Sequence, residues 1–432
     1  LMEIIRLNTD PTEAPTAALY GDNNSQIAVA TILKVWAMQI MTDTYGDIPY
    51  SEAFKGNIDP SLSIPNPKYD KQSDIYAMML KELAMADSLI SLGGSGFTSG
   101  DPIYDGNMDK WRKFGNSLRL RVALRMSNVD NYAAANAILA EVGEDGFMTS
   151  NADNAVVPYP GGGAMNSPMY DAYFTSARND FTTCKTIVNL LKGVDDTLNN
   201  KINPFNGLTD PRLQIYTRKR GGKYLGMPYG MTDGQTQAYK GKTASWYGSG
   251  SYNSSSAIVI LHQKFAPVLM EVAEVKFMLS ELKGYSQQEY VDGTRASLEH
   301  WGSVCHNLES WDDATFNTYV TDMNSYLANL PPASKKTVLA QKYIAFYNQG
   351  YQAWAEYRRT GEPSFLLKPG EIANVDGSGN NVYFNPLITI TTIPLRMTYP
   401  QQEYTVNASQ VTAAAAGLAG GDEMTTKLWW EK

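Results

Sequence analysis

One long apolar helix and the loop after it constrain the fold more than any other feature of this sequence. Residues 27–41 read IAVATILKVWAMQIM. Their apolar side chains cover most of the helix circumference, which predicts a helix that is buried on several sides. We expect this helix to end at Gly46, where a left-handed residue costs least. Pro49 then prevents the helix from starting again.

Helical periodicity dominates the rest of the chain. Apolar residues recur every three or four positions, and the predicted helices cover residues 75–90, 111–126, 131–142, 268–282, 287–301, 315–330 and 334–348. Paired helices with short connections are typical of a tetratricopeptide-like α/α superhelical scaffold, although no clean repeat of roughly 34 residues is present. We therefore predict an all-α fold and a single domain over residues 1–432. Short strands are expected only near residues 381–394, after a predicted turn at residues 376–381.

Two long segments of the sequence do not follow the helical pattern. Residues 151–180 contain several Pro and Gly residues, and residues 212–256 are rich in Gly, Ser and Tyr. Long irregular loops in a compact domain are usually functional or disordered, and disordered segments are poor in aromatic residues. The second segment carries Tyr216, Tyr224, Tyr229, Tyr239, Trp246, Tyr247 and Tyr252. This density of rings favours function or packing over disorder.

Charge and motif content exclude several classes of function. The net charge is only −8 over 432 residues, and the clustered Lys and Arg of a nucleic-acid-binding surface are missing. His300 and His306 are six residues apart and do not share a helical face, which argues against a zinc site. The sequence contains no complete calcium loop, phosphate-binding loop or dinucleotide fingerprint, and no catalytic constellation. We therefore expect a protein without enzyme activity, metal or cofactor.

Structural roles are expected for most of the remaining polar residues. Cys184 and Cys305 do not make a disulfide framework; two separate buried thiols are favoured, and pairing between them stays open. Asp43 and Asp47 flank a helix end, where we expect them to accept hydrogen bonds from loop amides. Ion pairing and helix capping are the expected roles of Arg119, Arg121, Arg125, Arg358, Arg359 and Arg396.

Five separated signatures in the chain resemble the SusD/RagB family of surface nutrient-binding lipoproteins from Bacteroidetes. They are residues 105–125, 265–284, 341–346 (QKYIAF), 352–363 (QAWAEYRRTGEP) and 393–407 (IPLRMTYPQQEYTVN). The loop at residues 41–54 (MTDTYGDIPYSEAF) and the sequence KLWW at residues 427–430 add to this resemblance. The similarity is strongest to the branch with the Tyr-Gly-Asp-Ile-Pro-Tyr loop. Ser280 and Leu282 depart from the pattern, because small Ala residues are commoner there.

The resemblance implies a binding protein of the outer membrane rather than an enzyme. It implies a lipid-anchored protein on the extracellular face that captures an oligosaccharide and delivers it to a SusC-like TonB-dependent transporter. Residues 1–24 are similar to internal family sequence, so we expect a missing stretch upstream that carries the signal, the anchor and the first helices. A peptide ligand on the same architecture is the alternative, and a glycoside hydrolase is a remote one.

Trp246, Tyr247 and Tyr252 are the predicted ligand-binding residues, with Tyr229 and Asn166 as weaker choices. Glycine residues flank Trp246 and Tyr247, so this backbone cannot easily bury two large rings by helix packing. Exposed large aromatic residues need a reason. Sugars offer flat apolar faces to rings and a rim of hydroxyls to polar side chains. The competing interpretation is that these rings pack locally and hold the loop in place.

Overall fold

Helices dominate the computed structural model, which describes residues 1–55, 64–163, 165–178, 182–239, 259–308 and 311–431. The helices are α1 Met2–Thr9, α2 Ala14–Ala17, α3 Asn23–Tyr45, α4 Gln72–Ile90, α5 Met108–Arg125, α6 Ser127–Asp130, α7 Ala133–Val142, α8 Pro168–Tyr170, α9 Lys185–Lys192, α10 Leu213–Tyr216, α11 Asp233–Tyr239, α12 Val272–Leu282, α13 Gln287–Asn307, α14 Asp313–Ala328, α15 Lys335–Ala345, α16 Gly350–Thr360, α17 Glu403–Val406 and α18 Ala408–Ala416. The strands are β1 Ala155–Val156, β2 Val268–Met270, β3 Ile372–Val375 and β4 Asn381–Tyr383. The prediction of a mainly helical fold is confirmed.

Two compact units alternate along the chain. Unit one consists of Leu1–Ala155, Tyr351–Thr360 and Pro394–Lys432, and unit two consists of Val156–Gly350 and Gly361–Ile393. Each unit is therefore assembled from segments that are distant in sequence. The assignment of the whole chain to one domain stays a prediction.

Helix α3 is the central helix of unit one. Its N-terminus is capped by the Asp22 side chain, which accepts a hydrogen bond from the Ser25 amide at 3.1 Å, and caps of this kind satisfy one of the free amides of a first turn. The helix ends at Gly46 with a φ of 89°, as predicted. Helices α1, α4 and α5 all pack against α3. Burial on several sides, the first expectation from the sequence, is confirmed.

Helix pairs form the scaffold of unit two. Helix α12 packs against α13 and α15, and α13 packs against α14 and α15, which agrees with the predicted tetratricopeptide-like arrangement. The prediction of a helix from residue 268 was wrong at its start. Val268–Met270 is a strand, and α12 begins only after Glu271, whose backbone is extended. Conversely, α13 continues six residues beyond the predicted end at Trp301, to Asn307.

Strands β3 and β4 form an antiparallel hairpin in unit two. Ile372 pairs with Tyr383 and Val375 with Asn381. The connecting turn is held by Asp376, whose carboxylate accepts hydrogen bonds from the amides of Ser378 and Asn380, both at 2.8 Å. The predicted turn is confirmed, but within the predicted region of residues 381–394 only Asn381–Tyr383 is a strand.

Buried arginines tie α16 and the C-terminal tail to the helices of unit one. The arginines that pair as predicted are Arg119 with Glu141, Arg125 and Arg359 with Glu356, Arg358 with Glu431, and Arg396 with Asp422. Asp47 accepts a hydrogen bond from the Gln72 amide at 2.8 Å, as expected. The expectation for Asp43 was wrong, because its carboxylate is bonded by the Tyr76 hydroxyl and faces Arg125 rather than loop amides.

Arg358 joins several separate segments of unit one. Its guanidinium donates to the backbone carbonyl of Asp43 and to that of Leu395, both at 2.6 Å, and to the Glu431 carboxylate at 2.9 Å. The rings of Trp354 and Trp430 lie 3.8 and 4.9 Å from the guanidinium carbon. One buried charge therefore fixes the end of α3, helix α16 and the tail together. Burial raises the pKa of Glu431 to about 7, although Arg358 opposes the shift.

Replacing Glu431 by Gln tests this buried pair through pH. A carboxyl group whose pKa is raised in the folded state stabilises the fold at pH values below its pKa in the unfolded state, near 4.5. This contribution is lost as the pH rises through the folded-state pKa of about 7. The unfolding free energy of the parent protein is therefore expected to fall relative to that of E431Q as the pH rises from 5 to 8, by on the order of 2–3 kcal/mol. Urea unfolding at four pH values measures this difference. The exposed neighbour Glu423 provides the control variant E423Q, and a difference that is constant with pH for E431Q contradicts the prediction.

Candidate functional site

Asn166 closes a tight loop in unit two. Its side-chain oxygen accepts a hydrogen bond from the Gly163 amide at 3.3 Å, and its side-chain nitrogen donates to the Gly163 carbonyl at 3.2 Å and to Asp171 at 3.0 Å. The Ser167 amide donates to the Gln263 carbonyl at 2.8 Å, which anchors the loop. Asn166 is buried, and its amide group is engaged within its own loop. Asn166, one of the two weaker predictions for the ligand-binding site, thus has a clear structural role.

A group of aromatic side chains that the sequence analysis did not single out follows Asn166. The ring centroids of Tyr170 and Phe174 are 4.8 Å apart, and those of Tyr173 and Phe174 are 5.1 Å apart. Residues 171–175 form a π-helical turn, a distortion that occurs frequently at functional sites. All three rings are half-buried. We call Tyr170, Tyr173 and Phe174 the aromatic triad.

Tyr229, the other weak choice, is held by the backbone of Leu367. The Leu367 amide donates to the Tyr229 hydroxyl at 2.9 Å, and the hydroxyl donates to the Leu367 carbonyl at 3.0 Å. Its ring packs edge-on against Phe384, with centroids 5.7 Å apart. The cavity beside Tyr229 has a volume of about 20 Å³, which is room for about one water molecule. The Tyr229 hydroxyl is therefore used in hydrogen bonds within the protein.

Replacing Tyr229 by Phe tests this structural role. The change leaves the Leu367 amide and carbonyl without their partner, so we expect the free energy of unfolding to fall by about 1–3 kcal/mol. The ring stays in place, so ligand affinity is expected to stay unchanged. Urea unfolding measures the loss, with the exposed Tyr383 changed to Phe as the control. An unfolding free energy equal to that of the control variant contradicts the prediction.

The other aromatic residues of the second irregular segment divide into two groups. Tyr216 is fully buried, stacks on Tyr347 with centroids 3.7 Å apart, and is part of the core of unit two. The Tyr239 hydroxyl donates to the Val375 carbonyl at 3.1 Å. Tyr216 and Tyr239 are thus both engaged within the protein. The three preferred residues, Trp246, Tyr247 and Tyr252, lie outside the described residues.

Each unit contains a larger cavity among its described residues. The cavity in unit one has a volume of about 460 Å³ and is lined mainly by charged and amide side chains of α4, α5 and α7, without an aromatic ring. The cavity in unit two has a volume of about 370 Å³ and contains Tyr224, Tyr326 and several polar side chains. Only the second combines a ring with a polar rim.

Metal-binding and redox chemistry find little support in the described part of the chain. No cluster of three or more His, Cys, Asp or Glu residues suited to a metal ion occurs there. Burial lowers the pKa of His300 to about 4, and His306 contacts Asp313 at 2.9 Å. Cys184 and Cys305 are both free thiols, as favoured from the sequence, but only Cys305 is buried and Cys184 is half-buried.

Comparison with known proteins identifies the family of the chain. A family model of SusD-like proteins, described as starch-binding and associating with the outer membrane, matches residues 2–400. The chain belongs to this SusD-like family. No curated protein sequence matches the chain.

Solved structures of SusD-like proteins share the fold. A SusD homologue from Bacteroides uniformis is 26% identical with a TM-score of 0.71, and the alignment covers 99% of this chain and 85% of that one. A chitin-binding protein is 24% identical with a TM-score of 0.71 and coverages of 99% and 84%. A chitin-binding SusD homologue from Flavobacterium johnsoniae is 23% identical with a TM-score of 0.69 and coverages of 94% and 81%. The helical architecture is thus that of the family.

Among the described residues, no helix is both long enough and apolar enough to cross a membrane.

Proposed function

We propose that this SusD-like protein captures an oligosaccharide at the cell surface and does not act as an enzyme. The match of residues 2–400 to a family described as starch-binding carries the proposal. Two of the similar structures are named as chitin-binding, which supports a carbohydrate ligand. The half-buried aromatic triad supports it further, because rings that are partly open to solvent can cover the apolar face of a sugar.

Trp246, Tyr247 and Tyr252 are the proposed ligand-binding residues. They lie in the same irregular segment as Tyr224 and Tyr229, and their rings are proposed to stack on successive sugar units. Asn166 and Tyr229 are proposed to support the site by holding its loops in place, because their polar groups form hydrogen bonds within the protein. Single sugar sites are often weak, near the millimolar range or about −4 kcal/mol. Several rings that engage one chain raise the overall affinity.

Replacing Trp246 by Ala tests the proposed site. If the ring stacks on the ligand, we expect binding to weaken by about 1–3 kcal/mol, the usual cost of losing a hot-spot residue. The melting temperature is expected to change little. Calorimetric titration with maltoheptaose and with chitohexaose, beside a thermal melt, measures both quantities.

The control for this experiment is Tyr351→Ala, which removes an exposed ring of unit one. This control is expected to leave both affinity and melting temperature at the parent values. If the ring of Trp246 packs the loop instead, its removal lowers the melting temperature and leaves the affinity of the folded protein unchanged. That result removes Trp246 from the site. Binding of peptides but not glycans on a mixed array favours the peptide alternative.

Delivery to a SusC-like TonB-dependent transporter is the second part of the proposal. We propose that the native protein is held at the extracellular face of the outer membrane by a lipid anchor and associates there with the transporter. The family description of outer-membrane association supports this location. Affinity purification of the tagged native protein from detergent-solubilised outer membranes is expected to recover a TonB-dependent protein. Recovery of the tagged protein without any such partner contradicts the association.

A further inference from the structure

The cavity of about 370 Å³ in unit two is a groove between α14 and the irregular segment that contains Tyr224. Its volume lies within the range of roughly 300–1,000 Å³ that is typical of small-molecule sites. Asp210 and Tyr326 form its floor and are 1% and 2% exposed. The half-buried ring of Tyr224 lines the same space. We call this cavity the Tyr224 groove.

The floor of the Tyr224 groove is held in one arrangement. Asp210 accepts hydrogen bonds from Arg212 Nε at 3.0 Å and from Arg212 Nη2 at 2.6 Å. The Tyr326 hydroxyl accepts a hydrogen bond from the Gln341 side chain at 2.7 Å. Because these polar groups already have partners, the floor needs little rearrangement when a ligand enters.

The rim of the groove offers polar groups that the protein does not use. Gln214, Asp322 and Ser325 line the groove and are exposed, and their side chains have no hydrogen-bond partner among the described residues. Asp322 and Ser325 are three residues apart on α14, so they lie on the same face of that helix. An amide, a carboxylate and a hydroxyl are thus available around one ring, with both donors and acceptors among them.

We propose that the Tyr224 groove binds one sugar ring of a neutral oligosaccharide, as a second subsite separate from Trp246, Tyr247 and Tyr252. The proposal rests on the proposed carbohydrate function. The Tyr224 ring provides a surface for the apolar face of the sugar, and the rim matches its hydroxyls. The charge of Asp210 is compensated by Arg212, whereas the Asp322 carboxylate on the rim disfavours a sugar acid. The Lys219 amine lies over the Tyr224 ring, 5.3 Å from its centroid, and the ring also packs against the core of unit two. The sugar is therefore proposed to contact the part of the ring that borders the groove.

The test follows Tyr224 directly. Tyrosine is labelled with ¹³C in the ring, and the Tyr224 signal is assigned with Tyr224→Phe. Titration with maltotriose and chitotriose is expected to shift this signal in the parent protein and equally in Trp246→Ala. Asp322→Ala, a change on the exposed rim, is expected to weaken the affinity measured from the Tyr224 signal roughly 5-fold or more, with an unchanged melting temperature. Tyr351→Ala is the control and is expected to leave the titration unchanged.

The outcomes separate this proposal from the proposed function. Calorimetric binding of either sugar without movement of the Tyr224 signal overturns the groove and leaves the carbohydrate function standing. A shift that disappears in Trp246→Ala also overturns it, because the groove then is not a separate site. Binding of a peptide but of neither sugar, or neither heat nor a shift with both sugars, overturns both. A shift that survives Trp246→Ala and weakens in Asp322→Ala supports the groove.

Discussion

The N–H donors of a buried guanidinium group need hydrogen-bond partners, and in unit two Arg212 is such a buried group. Its side chain is fully buried, and it donates to Asp210, to Ser297 of α13 and to Gln341 of α15. Asp210 and Arg212 belong to an irregular stretch, whereas the other two partners belong to the helical scaffold. Removing one partner of such a network is expected to cost several kcal/mol, because a charge then remains buried without compensation. The position of the irregular stretch on the helix pairs therefore depends on this single charge.

In unit one, Arg358 is the corresponding buried guanidinium group. There the buried charge satisfies backbone carbonyls at the end of α3 and in the tail, in addition to Glu431. Carbonyl groups at a helix end have no partner within the helix, so the arginine replaces partners that regular secondary structure cannot supply. In each unit a buried arginine thus fixes an irregular segment in addition to the segment's own hydrogen bonds, such as that from the Leu395 amide to the Met424 carbonyl at 2.8 Å.

The sequence predicted the scaffold better than the surface. Periodic apolar residues fixed the helices, and Gly46 fixed the end of α3, because both are local signals. The start of α12 was missed because the apolar residues 268–270 fit a strand as well as a helix, and only the tertiary context distinguishes the two. The Tyr224 groove was not foreseen. Asp322 and Ser325 resemble any exposed polar face, and only folding brings them to Tyr224, about 100 residues away in the sequence.

Aromatic density proved to be an ambiguous signal for the same reason. Tyr216 and Tyr229 belong to one tyrosine-rich segment, yet the first stacks in the core and the second binds backbone groups. A tyrosine hydroxyl that is buried must find a partner, and both residues have found one in the protein. Tyr224 differs, since its ring borders open space and its neighbours on the rim keep unused polar groups. A ring is therefore a candidate for ligand binding when the polar groups around it are free, and the number of rings in a segment does not decide this.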